Sequence, residues 1–203
     1  MDTIEKALSE LKKGRFILVV DDERRENEGD LVLAAQHCTP EKVNYLLKHG
    51  KGLICVPMTE KRASQLMLPR MVPDDENTEV TQCKFTISVD ARKGTKTGIS
   101  AKDRCATILA LANLKSKPNE FARPGHIFPL IAEDHGVLKR EGHTEAAVDL
   151  MKLASLKEVA VICEMLNEEG DAAKLEELEL FAKEYKLALV SIKDLIEYRR
   201  DHA

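Results

Sequence analysis

Phe16-Ile17-Leu18-Val19-Val20-Asp21-Asp22-Glu23-Arg24-Arg25-Glu26-Asn27-Glu28-Gly29-Asp30-Leu31-Val32-Leu33-Ala34-Ala35 sets two apolar runs around a loop in which six of ten residues are acidic. Each run is short, continuous and β-prone, the pattern of a buried strand. The loop therefore emerges at a sheet edge, where strand ends hold side chains rigidly. If residues 26–30 are extended, Glu26, Glu28 and Asp30 point to one side, because strand side chains alternate. Converging carboxylates repel one another, and a hard divalent cation such as Mg²⁺ relieves the repulsion. Arg24 and Arg25 can balance that charge or grip a phosphate. The plainer alternative is a solvated charged hairpin.

Outward from this hairpin, helical and strand patterns intermix. Ile4, Ala7, Leu8 and Leu11 recur at helical spacing, with Asp2 and Glu5 placed as a capping box and Gly14 as the stop. Thr39-Pro40 starts a helix to about Lys48. Leu53–Val56 reads as a strand, and Thr59 caps a short helix after it. Residues 69–80 form a long polar loop. Phe85, Ile87 and Val89 alternate with Thr86, Ser88 and Asp90, predicting a half-exposed strand. Ser100 and Asp103 cap a helix to about Leu114, and Ile127–Ala132 is a short strand. Thr144 opens a helix with Ala147, Leu150, Met151 and Ala154 on its apolar face. Val159–Cys163 is a buried strand, Leu175 to Tyr185 an amphipathic helix, Leu187–Val190 a strand, and Ser191 with Asp194 caps the last helix. The expectation is one α/β (α+β) domain over residues 1–203, without repeats or linkers.

Composition narrows the function. The apolar fraction is 43 %, aromatics are only 4 %, and Trp is absent, so the core must be aliphatic. The net charge is −4 with Lys and Arg scattered, which argues against nucleic acid. A negative protein with an anionic substrate needs a local cationic pocket or a metal. Cys38, Cys55, Cys83, Cys105 and Cys163 form no CxxC pair, which fits reduced thiols in a cytoplasmic protein better than disulfides or a zinc knuckle. The N-terminus lacks a signal-peptide pattern and no apolar run is long enough for a membrane span.

Three further stretches can carry chemistry. Arg140-Glu141-Gly142-His143-Thr144-Glu145 lies at a predicted helix start, where free N–H groups, a hydroxyl and an arginine suit a phosphate. His126 in Arg123-Pro124-Gly125-His126 sits on what reads as a tight turn and can act as a positioned acid or base. Glu164 follows a buried strand, and desolvation there would raise its pKa toward the range of a general base. Each also has an ordinary reading: a capping histidine, a turn histidine without a role, an exposed strand-end glutamate. No GxGxxG, GxxxxGK[ST] or GxSxG stretch competes.

Taken in order, the segments Asp21–Asp30, Thr97-Gly98-Ile99-Ser100-Ala101 with Asp103-Arg104, Arg123–Leu130, Gly142–Ala146 and Cys163-Glu164 resemble the 3,4-dihydroxy-2-butanone 4-phosphate synthase family across essentially the whole chain. The resemblance implies conversion of D-ribulose 5-phosphate to L-3,4-dihydroxy-2-butanone 4-phosphate and formate for riboflavin biosynthesis, a carbon–carbon lyase reaction. It implies Mg²⁺ (or Mn²⁺), two ions per site, with Glu26 and His143 as metal ligands. Arg25, Glu26, Asp30, Arg140, Glu141, Gly142, His143, Thr144 and Glu164 would contact substrate, and His126 and Glu164 would move protons. Asp21 and Glu28 are possible additional participants, while Glu23 and Arg24 read as solvated. The family's fold is a mixed sheet packed with helices in a sandwich, not a Rossmann sheet, and it acts as a homodimer with sites near the interface. Many members add a GTP cyclohydrolase II domain that needs a cysteine zinc site; the chain to Ala203 carries none, and the monofunctional form is expected.

The chemistry agrees with this assignment. Enolisation, loss of a hydroxyl, rearrangement and release of formate all build charge on vicinal oxygens, which a divalent metal offsets. Several protons must also move, and the acidic loop offers several carboxylates. The sequence departs from the family pattern at Thr81–Phe85, Asp134-His135-Gly136, Glu141 and Asp171–Lys174. Apart from Glu141, which occupies a variable position, none of these is assigned to chemistry. An idle binding protein on this scaffold would have no reason to keep Glu26, Asp30, His126, His143 and Glu164 together.

Overall fold

The computed structural model describes residues 1–202. Its frame is one seven-stranded mixed sheet in the order β4-β5-β3-β6-β2-β1-β7. The strands are β1 (Ile17–Val20), β2 (Gly29–Ala34), β3 (Cys55–Thr59), β4 (Val89–Ala91), β5 (Phe121–Ala132), β6 (Ala160–Glu164) and β7 (Ala188–Ser191). The helices are α1 (Ile4–Lys12), α2 (Pro40–Tyr45), α3 (Glu60–Gln65), α4 (Ala101–Ala112), α5 (His143–Leu153), α6 (Leu175–Tyr185) and α7 (Ile192–Asp201). The two apolar runs around the acidic loop pair antiparallel as β1 and β2, while β1 also runs parallel to β7.

Alternation along the central strands divides the core in two. Leu18, Val20, Leu31, Leu33, Val161 and Cys163 face one way, against Val43, Ala63, Ile108 and Leu178 from α2, α3, α4 and α6. Ile17, Val19, Val32, Ala34, Ala160 and Ile162 face the other, against α1, α5 and α7. A buried Leu, Ile or Val contributes about 1.5–3 kcal/mol. Two such layers hold the sheet without disulfides, and all five cysteines are free. This is the expected helix-packed mixed sheet, distinct from an all-parallel Rossmann arrangement.

Many element starts follow from their caps. Thr39, Thr59, Ser100 and Ser191 accept from the backbone N–H three residues on, at 3.0–3.3 Å. Three expectations need correction. The cap of α1 is Thr3, because the Asp2 carboxylate accepts instead from Leu189 N and Lys6 Nζ. The strand begins only at Val89: Phe85 and Thr86 each form an isolated bridge, and the buried residue of 85–88 is Thr86, whose hydroxyl donates to the Pro129 carbonyl. Thr86 N donates to Pro129 O, but proline has no N–H to return. The Pro124-Gly125 pair is not a turn: it lies inside β5, where a Cβ on Gly125 would stand 2.0 Å from the backbone of Val89. The helix after Pro40 also changes character, passing from α2 into a π turn over Leu46–Gly50.

Candidate active site

The acidic loop is not extended from residue 26 as alternation would require. Residues 23–26 turn, Asn27 has φ 55°, and the strand resumes at Gly29. Asp21 causes this. Its side chain is 1 % exposed; one oxygen accepts from Glu28 N at 3.0 Å, and the other from Glu26 N at 3.1 Å and Arg25 Nη1 at 2.9 Å. Asp21 thus clamps the loop from inside, and the fold carries Glu26, Glu28 and Asp30 into one cleft of about 290 Å³.

The other walls of that cleft follow from sheet parity. Asp30 and Glu164 are direct partners across β2 and β6. Both share the parity of Val32 and Ile162, so both face the α5 side. There α5 presents His143 as its first residue and Thr144 as its second. Arg140 reaches the same cleft from the preceding segment. Gly142 is the N-cap of α5, and a Cβ there would lie 2.2 Å from Arg140 Nη1, so only glycine leaves room for the guanidinium. A larger hollow of about 590 Å³ lies beside the same loop, but no histidine lines it. The smaller cleft, where acid, base and cation meet, is the candidate site.

Its electrostatics are strongly coupled. Burial pushes the Asp30 carboxyl up to about 7, and Oδ1 is buried without a hydrogen-bond partner. His143, ahead of Arg25, holds Glu26 down to about 2. Burial lowers His143, but Asp30, Glu26 and Asp21 outweigh it and hold the imidazole up at about 9. Burial raises both Glu28 and Glu164, and Glu164 Oε2 accepts from Leu53 N at 2.7 Å.

Asp21, Glu26 and His143 each offer a ligand atom within 4.8 Å of the others. Three backbone or side-chain donors already engage Asp21, so Glu26 and His143 are the freer pair. His143 Nδ1 stands 3.7 Å from Glu26 Oε2, too long for a hydrogen bond. Two donors about 2.1 Å from one ion can lie up to about 4.2 Å apart, so this spacing fits a shared divalent cation. His143 Nε2 is buried and also unpartnered. The residues present therefore fit a metal.

Not every sequence-selected residue enters the cleft. Glu141 is exposed and faces a separate hollow with Arg24 and Arg200. Arg25 lines the cleft, but its Nη1 is held by Asp21 and Glu26. His126 is not among the lining residues. It lies on β5 with Nδ1 2.7 Å from Asp90 Oδ2, and its N–H donates to Asp90 Oδ1 at 2.9 Å. Sequence reasoning missed Cys55, Glu79, Thr81 and Cys83 in the wall, the Asp90 partner, and buried Glu145, which pairs with Arg140 at 2.6 Å. Only Glu145 carried a local signal, five residues after Arg140 in the same motif.

Comparison with known proteins places this geometry. The family model for 3,4-dihydroxy-2-butanone 4-phosphate synthase matches residues 5–198. The RibBA riboflavin biosynthesis protein of Bacillus velezensis is 56 % identical over 196 residues, 97 % of this chain and 48 % of that protein. The monofunctional riboflavin biosynthesis protein RIBA 2, chloroplastic, of Arabidopsis thaliana is 52 % identical over 198 residues, 98 % of this chain and 42 % of its own length. The chain thus spans a little under half of these relatives. A crystal structure of 3,4-dihydroxy-2-butanone 4-phosphate synthase in complex with two magnesium ions superposes with a TM-score of 0.92 at 39 % identity, covering 99 % of this chain and 98 % of that one. The chain belongs to the 3,4-dihydroxy-2-butanone 4-phosphate synthase family.

Proposed function

We propose that the protein converts D-ribulose 5-phosphate to L-3,4-dihydroxy-2-butanone 4-phosphate and formate, as a Mg²⁺-dependent carbon–carbon lyase supplying the four-carbon unit of riboflavin. The observation that carries this is the convergence of Glu26, Asp30, Glu164 and His143 with Arg140 in one cleft. Glu26 and His143 would hold the metal, with Mn²⁺ a competent substitute because imidazole is a softer ligand than Mg²⁺ prefers. Two ions per site are part of the proposal; the similar synthase structure is in complex with two magnesium ions. Bound there, the metal would polarise the vicinal oxygens of the sugar.

The chain's own residues divide the remaining work. Arg140, Thr144 and the first N–H groups of α5 receive the phosphate, since those N–H groups have no carbonyl ahead of them. Burial raises Asp30 to about 7, where a carboxyl both gives and accepts protons, and burial raises Glu164 in the same direction. Arg25 and Glu26 border the sugar, and Gly142 keeps Arg140 in place. Glu28 is a further proton acceptor at the rim; Asp21 shapes the loop from within. Glu141, solvent-facing, is the substrate contact with the least support.

His126 completes the site in a homodimer. It is exposed on β5 beside the edge strand β4, and the nearby loop carries exposed Ile99. A partner subunit covering this edge would bring His126 to a cleft it does not reach in its own chain. If so, co-expressing His126→Ala with His143→Ala restores activity that neither variant has alone. Recovery is expected at about a quarter of wild type, because half of random dimers are mixed and each keeps one intact site of two. No recovery would contradict a shared site.

A cytoplasmic location is proposed from the wide cysteine spacing, and none of the described helices is long and apolar enough to cross a membrane. A coupled formate assay with ribulose 5-phosphate, with and without Mg²⁺, tests the activity. A thermal shift with substrate but no formate would instead indicate a binding protein.

A further inference from the structure

Glu79, Thr81 and Cys83, which line the cleft, belong to a segment with its own internal bonding. Residues 77–83 close on themselves. Asn77 Nδ2 donates to Cys83 O at 3.0 Å, and Glu79 N donates back to Asn77 Oδ1 at 3.0 Å. Inside this ring, the Glu79 carboxylate accepts from Thr81 N at 3.0 Å, Cys83 N at 2.7 Å and Thr81 Oγ1 at 2.7 Å. The Thr81 hydroxyl has one proton, and Glu79 takes it, which turns the oxygen lone pairs outward.

Arg140 meets that oxygen. Its Nη2 donates to Thr81 Oγ1 at 2.9 Å, its Nε to Thr81 O at 2.9 Å, and its Nη1 to Glu145 Oε2 at 2.6 Å. A guanidinium has five N–H donors in a fixed plane. Three are engaged here. One donor therefore remains on each terminal nitrogen, free for a phosphate. Thr81 fixes one edge of the plane through two bonds and Glu145 holds the opposite nitrogen, so the direction of the free pair is set by the protein.

We propose that Thr81, oriented by Glu79, is a positioning residue that aims Arg140 at the phosphate of the substrate; this rests on the reading of Arg140 as a phosphate-binding residue. Arg140 is 59 residues from Thr81 in sequence, so the clasp is a tertiary device. The tip of the segment, Val80, is 94 % exposed and touches none of these groups.

The test compares Thr81→Val, Thr81→Ser, Glu79→Gln and Val80→Ala with wild type, measuring KM and kcat for ribulose 5-phosphate and the affinity for inorganic phosphate by calorimetry. Loss of the hydroxyl that aims the guanidinium should raise KM and weaken phosphate binding by roughly tenfold or more in Thr81→Val. Its kcat should stay within about twofold, because phosphate binding is alike in the ground and transition states. Thr81→Ser should restore both constants, Glu79→Gln should weaken them in the same direction, and Val80→Ala should change neither. Folded Thr81→Val and Glu79→Gln proteins with wild-type KM and phosphate affinity would overturn the proposal, as would a fall in kcat alone. If wild type releases no formate, the proposed function fails. The phosphate affinities then still decide the clasp: weakened in Thr81→Val they support it, unchanged they overturn it.

Discussion

His143→Ala is expected to lower kcat/KM by about 10³-fold or more and to remove Mn²⁺ binding measured by electron paramagnetic resonance. The size follows from the role: metal stabilisation of developing charge is worth several kcal/mol, and each 1.36 kcal/mol is a factor of ten in rate. The direction follows from position. His143 is the first residue of α5, is buried, and stands over Asp30, Glu26 and Asp21. Without a metal those carboxylates favour the imidazolium. On the proposed ligand set, metal and proton compete for the same ring, and alanine would leave Glu26 without a partner ligand. The α5 start does not depend on the imidazole, since Gly142 is the cap and makes no side-chain bond. Circular dichroism should accordingly stay native. Wild-type activity, or unchanged Mn²⁺ binding, would mean that the ligand assignment is wrong.

Glu164→Gln is the second large effect, expected to reduce kcat by about 10²–10⁴-fold, the usual range for loss of a general acid or base. Glutamine keeps the shape and still accepts from Leu53 N, so KM should move little. It removes a carboxylate that burial already disfavours and that lies directly across from Asp30. Thermal stability should therefore be unchanged or slightly higher, as expected where a partly buried acid is retained for activity rather than for the fold. A variant with normal kcat would exclude Glu164 from proton transfer. A variant that loses activity together with stability would make its role structural.

Much of this arrangement is legible in the residues. The Phe16–Val20 and Leu31–Ala35 runs announce the paired strands because continuous apolar stretches have few other solutions. Thr39, Thr59, Ser100 and Ser191 mark helix starts because their hydroxyls satisfy free N–H groups locally. Glu26, Asp30, Arg140, His143, Thr144 and Glu164 are all found in one cleft. The route for Glu26 and Glu28 differs from strand alternation, however: Asp21 bends the loop through three hydrogen bonds that no periodicity encodes. Phe85 to Val89 alternates as a strand should, yet the polar Thr86 is buried while Phe85 and Ile87 are only partly so, and its partner Pro129 has no N–H to continue the ladder. Pro124-Gly125 carries a turn signal that tertiary packing overrides, with the glycine needed for backbone contact across to Val89. The Glu79–Thr81 clasp was invisible for a related reason. Its meaning depends on a guanidinium 59 residues away.

Proton NMR of one reaction mixture follows substrate and both products together. With Mg²⁺, ribulose 5-phosphate should disappear as formate appears in a one-to-one ratio, together with the four-carbon phosphate, and a chelator should stop both. Disappearance of substrate without formate, or formate production that continues after the metal is removed, would rule out a metal-dependent synthase.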